Sequence, residues 1–421
     1  MKILVVGSGA REHALAWRFA KDGAEVHVAP GNGGTARAFK NHAVAATDVA
    51  AQVALAEELA VDLVVVGPEA PLVLGLVDAL VDKGIAAFGP SKAAAQLEGS
   101  KIFAKECMRA AGVPTAAFEV FDDFAAAEAY LREADRPLVV KADGLAAGKG
   151  VTVASDADEA VQAAREALVG RKFGDAGARI LIEECFKGPE VSYHVVSDGE
   201  RYVSLAAAQD HKRAFDGDKG PNTGGMGAYS PPPMVTAEID ARIRSEVVEP
   251  TLTQMGSAGT PFRGALFVGL MIVDGAPKVL EYNVRFGDPE TECLMTRLGG
   301  SAVDLFLGSA RGDLSGYEAT WEAPASLCVV LASGGYPGAY SKGVEIEGVE
   351  GAAVAPGVQL FHAGTVADED ALRTSGGRVL CVTAVGDSVE HAASRAYVAA
   401  DRVQFEGRML RRDIGWQARE E

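Results

Sequence analysis

The sequence predicts an α/β protein in three parts: a doubly wound parallel sheet over residues 1–100, an α+β core over 101–323 and a small α+β domain over 324–421. Three observations carry that expectation. Short apolar runs alternate with helix-period segments through the first part, the pattern of βαβ units whose ligands sit beyond the strand C-termini. Two strand–turn–strand signals follow, one around a glycine-rich loop (138–153) and one around Asp274-Gly275, and both indicate hairpins. From Pro324 the texture changes to strands near Leu327–Leu331, Gln359–His362 and Val379–Thr383, with a helix at Ser388–Val403.

In the first part, Lys2–Val6 is a strand, Gly7–His13 a turn and Ala14–Lys21 a helix with an apolar face. Val26–Val28 and Asp62–Val66 are further strands, closed by the turns Pro30–Gly34 and Gly67–Pro71. Gly7-Ser-Gly9 suggests a dinucleotide fold. Yet Glu12 holds the third glycine position, and Ala29-Pro30 stands where an acid should close the second strand, so NAD is disfavoured. A glycine turn opening a helix still suits a phosphate or polar ligand. The plainer reading of Arg11, Glu12 and His13 is a solvated first helical turn.

Ser91–Ala110 reads as a helical connector containing Ser100-Lys101, followed by helices over Asp123–Glu133 and Asp156–Val169. Leu138–Lys141 and Val151–Val153 flank a loop with Gly144, Gly148, Lys149 and Gly150. Its spacing departs from a P-loop and it runs strand to strand, so it is not a Walker motif. Glycines still let backbone N–H groups approach an anion, and a lysine inside an apolar strand (Lys141) is costly unless it meets one. Ile180–Phe186 is a strand ending in Glu183 and Glu184, with Glu190 beyond a bend. A strand end of this kind could serve an adenine edge and ribose hydroxyls, or only solvate itself.

Gln209–Pro233 is the longest stretch without apolar periodicity, and its Lys212-Arg213 pair and glycines suit a lid over phosphate. In Pro277–Arg285, alternation places Glu281, Asn283 and Arg285 on one strand face. A carboxylate, an amide oxygen and a guanidinium are poor core material. They suit a hard cation with a phosphate-binding arginine beside it. Asp288-Pro289-Glu290 then caps a helix. His362 and Arg378 could touch the cleft, but core or surface duty is the plainer expectation for both.

Composition bounds the function. With 48% hydrophobic and 23% charged residues, the chain is an ordinary soluble globular protein. A net charge of −18 disfavours a nucleic-acid partner but leaves room for a locally basic site for small anions. Five scattered cysteines (Cys107, Cys185, Cys293, Cys328, Cys381) include no CxxC pair, against a zinc site or disulfide framework and for a reducing cytoplasm. Ile3–Val6 is too short for a signal or membrane segment.

Together, Gly9-Ala-Arg-Glu-His-Ala14, Val140-Lys-Ala-Asp-Gly-Leu-Ala-Ala-Gly-Lys-Gly150, Gln209-Asp-His-Lys-Arg213, Gly220–Pro231, Asn283-Val-Arg-Phe-Gly-Asp-Pro-Glu-Thr291 and Ala332–Gly338 run in the order of one family. The chain resembles the phosphoribosylamine–glycine ligases of the ATP-grasp superfamily over essentially its whole length. The resemblance implies a pre-ATP-grasp N-terminal sheet, an ATP-grasp core with a mobile nucleotide lid near 115–188, and a closing C-terminal domain. It implies a cytoplasmic, monomeric ligase of purine synthesis without membrane or nucleic-acid partners. Such a ligase joins glycine to 5-phosphoribosylamine with ATP as co-substrate and Mg2+ or Mn2+, through glycyl phosphate. No catalytic serine or cysteine triad is required, because phosphoryl transfer depends on positioning and charge neutralisation.

Position by position, the resemblance makes Lys101 and Lys141 phosphate-facing lysines and the Gly144–Gly150 loop, with Gly148 and Lys149, the flap over the triphosphate. Glu183, Glu184, Cys185 and Phe186 would present the adenine pocket, Glu190 the ribose contact, and Glu281 and Asn283 the metal ligands. Arg285, Asp288, Asp210 and Lys212 would face glycine and the acyl phosphate. Gly9, Arg11, Gly67, Pro68 and Glu69 would face the ribose phosphate. Three departures stand out. Phe267, Val268 and Gly269 occupy the place of a further acidic metal ligand, Ala10 replaces a common Gly, and Glu292 a common Gln. A relative acting on another acid or amine, or a nucleotide sensor without turnover, would share most of these motifs.

Overall fold

Ile3–Val6 are wholly buried, and they make Lys2–Gly7 the middle strand of a five-stranded parallel sheet. The strand order is Lys40–Asn41, Glu25–Pro30, Lys2–Gly7, Leu63–Val66, Ala87–Phe88. The order reverses beside Lys2–Gly7, so the turns at Gly7–Gly9 and Gly67–Glu69 flank one crevice, the usual ligand position of a doubly wound sheet. The computed structural model describes residues 1–145, 150–368 and 371–419, so Gly148 and Lys149 lie outside the described residues.

The first helix starts at Ala10, earlier than the sequence pattern indicates, and ends at Lys21. Its first turn is not solvated: Arg11, Glu12 and His13 are 8%, 2% and 8% exposed. The C-terminal part covers this end. His362 N–H donates to His13 Nδ1 at 3.0 Å, and Asn32 Nδ2 donates to the His362 carbonyl at 2.6 Å.

Two antiparallel four-stranded sheets form the middle of the chain. The smaller runs Phe118–Phe121, Ile180–Glu184, Leu138–Ala142, Val151–Val153. Helices Phe124–Glu133 and Ala157–Leu168, N-capped by Asp123 and Asp156, share a core with it through Leu131, Val140, Val161 and Ile182. The larger sheet runs Tyr202–Ser204, Glu190–Asp198, Arg263–Val273, Ala276–Asn283. A bulge at Gly269/Leu270 sets Gly269 opposite Glu281 and Phe267 opposite Asn283.

The third large sheet runs Gln209–Asp210, Gly227–Ser230, Ala325–Ala332, Arg378–Gly386, Val358–His362, covered by helix Val389–Ala400. Two of its strands precede residue 324. The 209–233 stretch is therefore not one free lid. Gly227–Ser230 is buried and paired with Ala325–Ala332, and only the hairpin Arg213–Phe215/Lys219–Asn222 projects. Buried Arg411 anchors that hairpin, donating to Asp218 Oδ1 at 2.8 Å and to the Arg213 carbonyl at 3.2 Å. Among the described residues no helix is long and apolar enough to cross a membrane.

The larger central sheet meets the parallel sheet backbone to backbone. At Gly264 (φ +102°), a Cβ would lie 2.8 Å from Gly89 Cα. Gly264→Ala should therefore cost about 2 kcal/mol or more, from a left-handed backbone plus a clash without slack. Calorimetry should show a clear fall in Tm; an unchanged Tm would mean this seam can open without cost.

Candidate active site

In the N-terminal crevice, the Glu12 carboxylate accepts from the Gly9 N–H and from Arg11 Nε, each at 2.6 Å. A Cβ on Gly67 would lie 2.1 Å from Glu12 Oε1, and one on Gly9 2.8 Å from Oε2. Glu12 thus takes the helix N-terminus for itself, where a dinucleotide would place its pyrophosphate. Arg11 Nη1 donates to the Phe286 carbonyl at 3.1 Å. Burial works against its charge, but Glu12, Asp288 and Glu69 outweigh it and hold the guanidinium protonated.

Arg285 links this crevice to the central hairpin. Its Nη2 lies 3.0 Å from both Glu98 Oε1 and Asn283 Oδ1, and its Nε 3.4 Å from Glu69 Oε2. Glu98 also accepts the Val284 N–H at 2.7 Å. Burial raises the pKa of Glu98 above the ordinary range despite Arg285. At Glu69 burial acts the same way, but Arg285 and Arg11 outweigh it and lower the pKa.

Glu281 has no hydrogen bond or ion pair among the described residues. Burial favours its neutral form, yet Lys212, Lys141, Lys101 and Arg285 together hold its pKa below the usual carboxylate range. Asn283 is buried, and its Nδ2 has no hydrogen-bond partner there. A Cβ on Gly269 would come within 3.2 Å of Glu281 Cγ, so a larger side chain opposite would press on that carboxylate. An ionised carboxylate and an amide oxygen on one strand face are hard oxygen donors that fit a magnesium-sized cation.

Next to Glu281, Lys212 is ion-paired with Glu190, whose carbonyl accepts from Gln209 Nε2 at 2.8 Å. Burial pushes Asp210 up to about 7; Lys212 opposes the shift, and Glu290, Glu190 and Glu281 reinforce it. Glu190, expected at the ribose, thus pairs with Lys212 in the same cluster of carboxylates as Asp210.

The lysine wall differs from expectation. Lys141 meets its anion inside the protein: Glu183, 3% exposed, pairs with Lys141 through Oε1 and with Lys105 Nζ through Oε2 at 2.5 Å. The Glu183 side chain, expected in the adenine pocket, is thus paired with two lysines. Glu184 lies 3.4 Å from Arg136, and Cys185 and Phe186 follow half-buried. Lys101 Nζ donates to the Gly144 carbonyl at 3.3 Å. Asp143 ties the base of the loop to Ser100 Oγ at 2.8 Å and to Arg179 at 2.8 Å.

Arg378, expected in structural duty, reaches the cleft. Its Nη1 lies 3.0 Å from Asp288 Oδ1 and donates to the Asp288 and Gly224 carbonyls at 2.8 and 2.7 Å. Sequence reasoning also missed Glu98 and Lys105. Each acts through a partner far along the chain, and no local spacing marks it.

Glu183→Gln would leave Lys105 and Lys141 buried without their counterion, so it should cost about 3 kcal/mol, read as a fall in Tm. An unchanged Tm would show that the lysines do not need it. Asp210 titrates higher in the folded protein than its ordinary value near about 4, so its contribution is complete below that value and lost as pH rises through about 7. Asp210→Asn stays neutral. Its Tm relative to the parent should therefore rise between about pH 5 and about pH 8, and a constant difference would contradict the shift.

Sequence models of one family cover the chain almost end to end. The phosphoribosylglycinamide synthetase N domain matches residues 1–98, its ATP-grasp (A) domain 99–291 and its C domain 326–417. A phosphoribosylamine–glycine ligase of Allochromatium vinosum is 52% identical over 99% of both chains. One from Pseudomonas aeruginosa is 51% identical over 99% of this chain and 98% of its own. The crystal structure of a phosphoribosylamine–glycine ligase from Thermotoga maritima superposes with a TM-score of 0.87 at 36% identity, covering 99% of this chain and all of that one. A Campylobacter jejuni biotin carboxylase shares the fold at 15% identity, with a TM-score of 0.73 over 97% of this chain and 92% of its own. With family-specific matches to its N-terminal, central and C-terminal parts and half its residues identical to those of full-length relatives, the chain belongs to the phosphoribosylglycinamide synthetase (phosphoribosylamine–glycine ligase) family.

Proposed function

We propose that this chain joins glycine to 5-phosphoribosylamine at the expense of ATP, releasing glycinamide ribonucleotide, ADP and phosphate. One observation supports the reading above the rest: Glu281 is held ionised in the field of Lys212, Lys141, Lys101 and Arg285, with no hydrogen bond or ion pair among the described residues. Cations converging on an acid left without a partner among the described residues suit a nucleotide's phosphates arriving with a divalent ion.

A glycine carboxylate does not react with an amine, so the γ-phosphoryl group of ATP first moves onto a carboxylate oxygen. The bond to the ADP oxygen breaks and glycyl phosphate forms. The amine nitrogen of phosphoribosylamine then attacks the carbonyl carbon, phosphate departs and the nitrogen loses a proton. Lys101 and Lys141 orient the phosphates, and Arg285 and Lys212 neutralise the acyl phosphate. Asp210, with a pKa near 7, is suited to receive the proton from the amine. Glu281 and Asn283 would hold Mg2+, which neutralises charge on the transferring group. Arg11 and Glu69 at the switch-point crevice are assigned to the ribose phosphate side. The sheet carrying Lys141 is assigned as the nucleotide lid, and the enzyme as a cytoplasmic monomer.

Phosphate release by the purified protein should require ATP, glycine and phosphoribosylamine together. Release with bicarbonate or D-alanine in place of glycine would refute the substrate assignment. Glu281→Ala should reduce turnover by roughly a thousandfold or more while leaving a cooperative unfolding transition; near-normal kcat would remove Glu281 from the metal site.

A further inference from the structure

Helix Glu290–Arg297 is buried along its whole length, between helix Ala10–Lys21 and the strands Ala325–Ala332 and Arg378–Gly386. On it, Glu292 is fully buried, and neither of its oxygens has a hydrogen-bond partner among the described residues. A carboxylate so placed must stay neutral or meet a cation. The nearest guanidinium, Arg378, is turned to Asp288 and to two backbone carbonyls. What faces Glu292 instead is a set of metal-ligand atoms. One oxygen each of Asp288 and Glu292 and the sulfur of Cys381 lie within 4.8 Å of one another.

We propose that Asp288, Glu292 and Cys381 form a second divalent-metal site beneath the cleft, selective for a thiophilic ion such as Zn2+ over Mg2+. The donor set decides the ion: a thiolate with two carboxylates suits Zn2+, whereas Mg2+ takes oxygen ligands only. Charge closes as well. Two carboxylates and a thiolate carry three negative charges, matched by Zn2+ and the Arg378 guanidinium. Cys328 packs in the same buried cluster as Cys381. Ligand atoms around a tetrahedral Zn2+ stand roughly 3.5 Å apart, so closing the set requires shifts on the order of 1 Å. Binding expels the Glu292 and Cys381 protons to solvent. Asp288 is half-buried and borders the cleft, which supplies an entry path and leaves the fourth position to water. Linear spacing could not show the full site, because Asp288 and Glu292 stand four residues apart but Cys381 comes from a strand far along the chain.

Chelator-treated protein titrated with Co2+ in excess Mg2+ provides the test. We expect one equivalent bound, with a thiolate-to-cobalt charge-transfer band in the near ultraviolet. The oxygen donors Glu281 and Asn283 cannot produce such a band. Cys381→Ser should abolish it, Cys107→Ala should leave it, and Glu292→Gln should weaken Co2+ binding by about tenfold or more. Absence of the band in the parent, its survival in Cys381→Ser, or unchanged affinity in Glu292→Gln would overturn the proposal. Should Cys381→Ser fail to fold, X-ray absorption on the Zn2+-loaded parent decides: a sulfur neighbour supports the site, and oxygen or nitrogen neighbours alone refute it.

Discussion

The Arg285 guanidinium is the point on which the cleft turns. It meets Glu69 from the parallel sheet, Glu98 from the connector and Asn283 from the central hairpin, three segments that share no local sequence. Breaking a buried charge set of this kind costs several kcal/mol, whereas exposed pairs such as Lys21–Glu322 or Arg37–Glu350 contribute about 1 kcal/mol at most. The relative placement of crevice and hairpin therefore follows from the cleft itself, not from ion pairs at the rim.

The same economy of charge shapes the rest of the site. Lys141 and Lys105 are held by Glu183, and Lys212 by Glu190, so the cations stand in place without a polyphosphate. Pre-organised charge avoids reorganisation at the moment of reaction. Glu281 is the exception, ionised by its surroundings yet bonded to none of the described residues, and it is the group with coordination capacity to spare.

What was legible in the sequence was local. Alternation placed Glu281, Asn283 and Arg285 on one side of a hairpin because a strand's geometry has a fixed period, and Asp274-Gly275 marked its turn. The βαβ alternation likewise announced the parallel sheet. The hidden features depend on partners far away. Gly227–Ser230 is too short to show a pattern and becomes a buried strand only by pairing with Ala325–Ala332. Arg378 looks like an ordinary strand residue until the fold sets it beside Asp288. His13 reads as solvated because the element burying it, around Phe361 and His362, lies in the last quarter of the chain.

A recurring device explains why glycines read as phosphate loops when several serve the protein itself. Cβ atoms on Gly9 and Gly67 would collide with Glu12, one on Gly269 would press on Glu281, and one on Gly287 would lie 2.4 Å from Glu290 Oε2. In each case a missing side chain makes room for an internal carboxylate close to backbone. The same property that admits a phosphate also admits a glutamate, which can take the N–H groups or aim its charge at a cation. At Gly9 the glutamate wins, and the helix N-terminus is closed to a dinucleotide. At Gly269 the glutamate is left without a hydrogen bond to its own strand partners, and its charge stays directed into the cleft where the lysines converge.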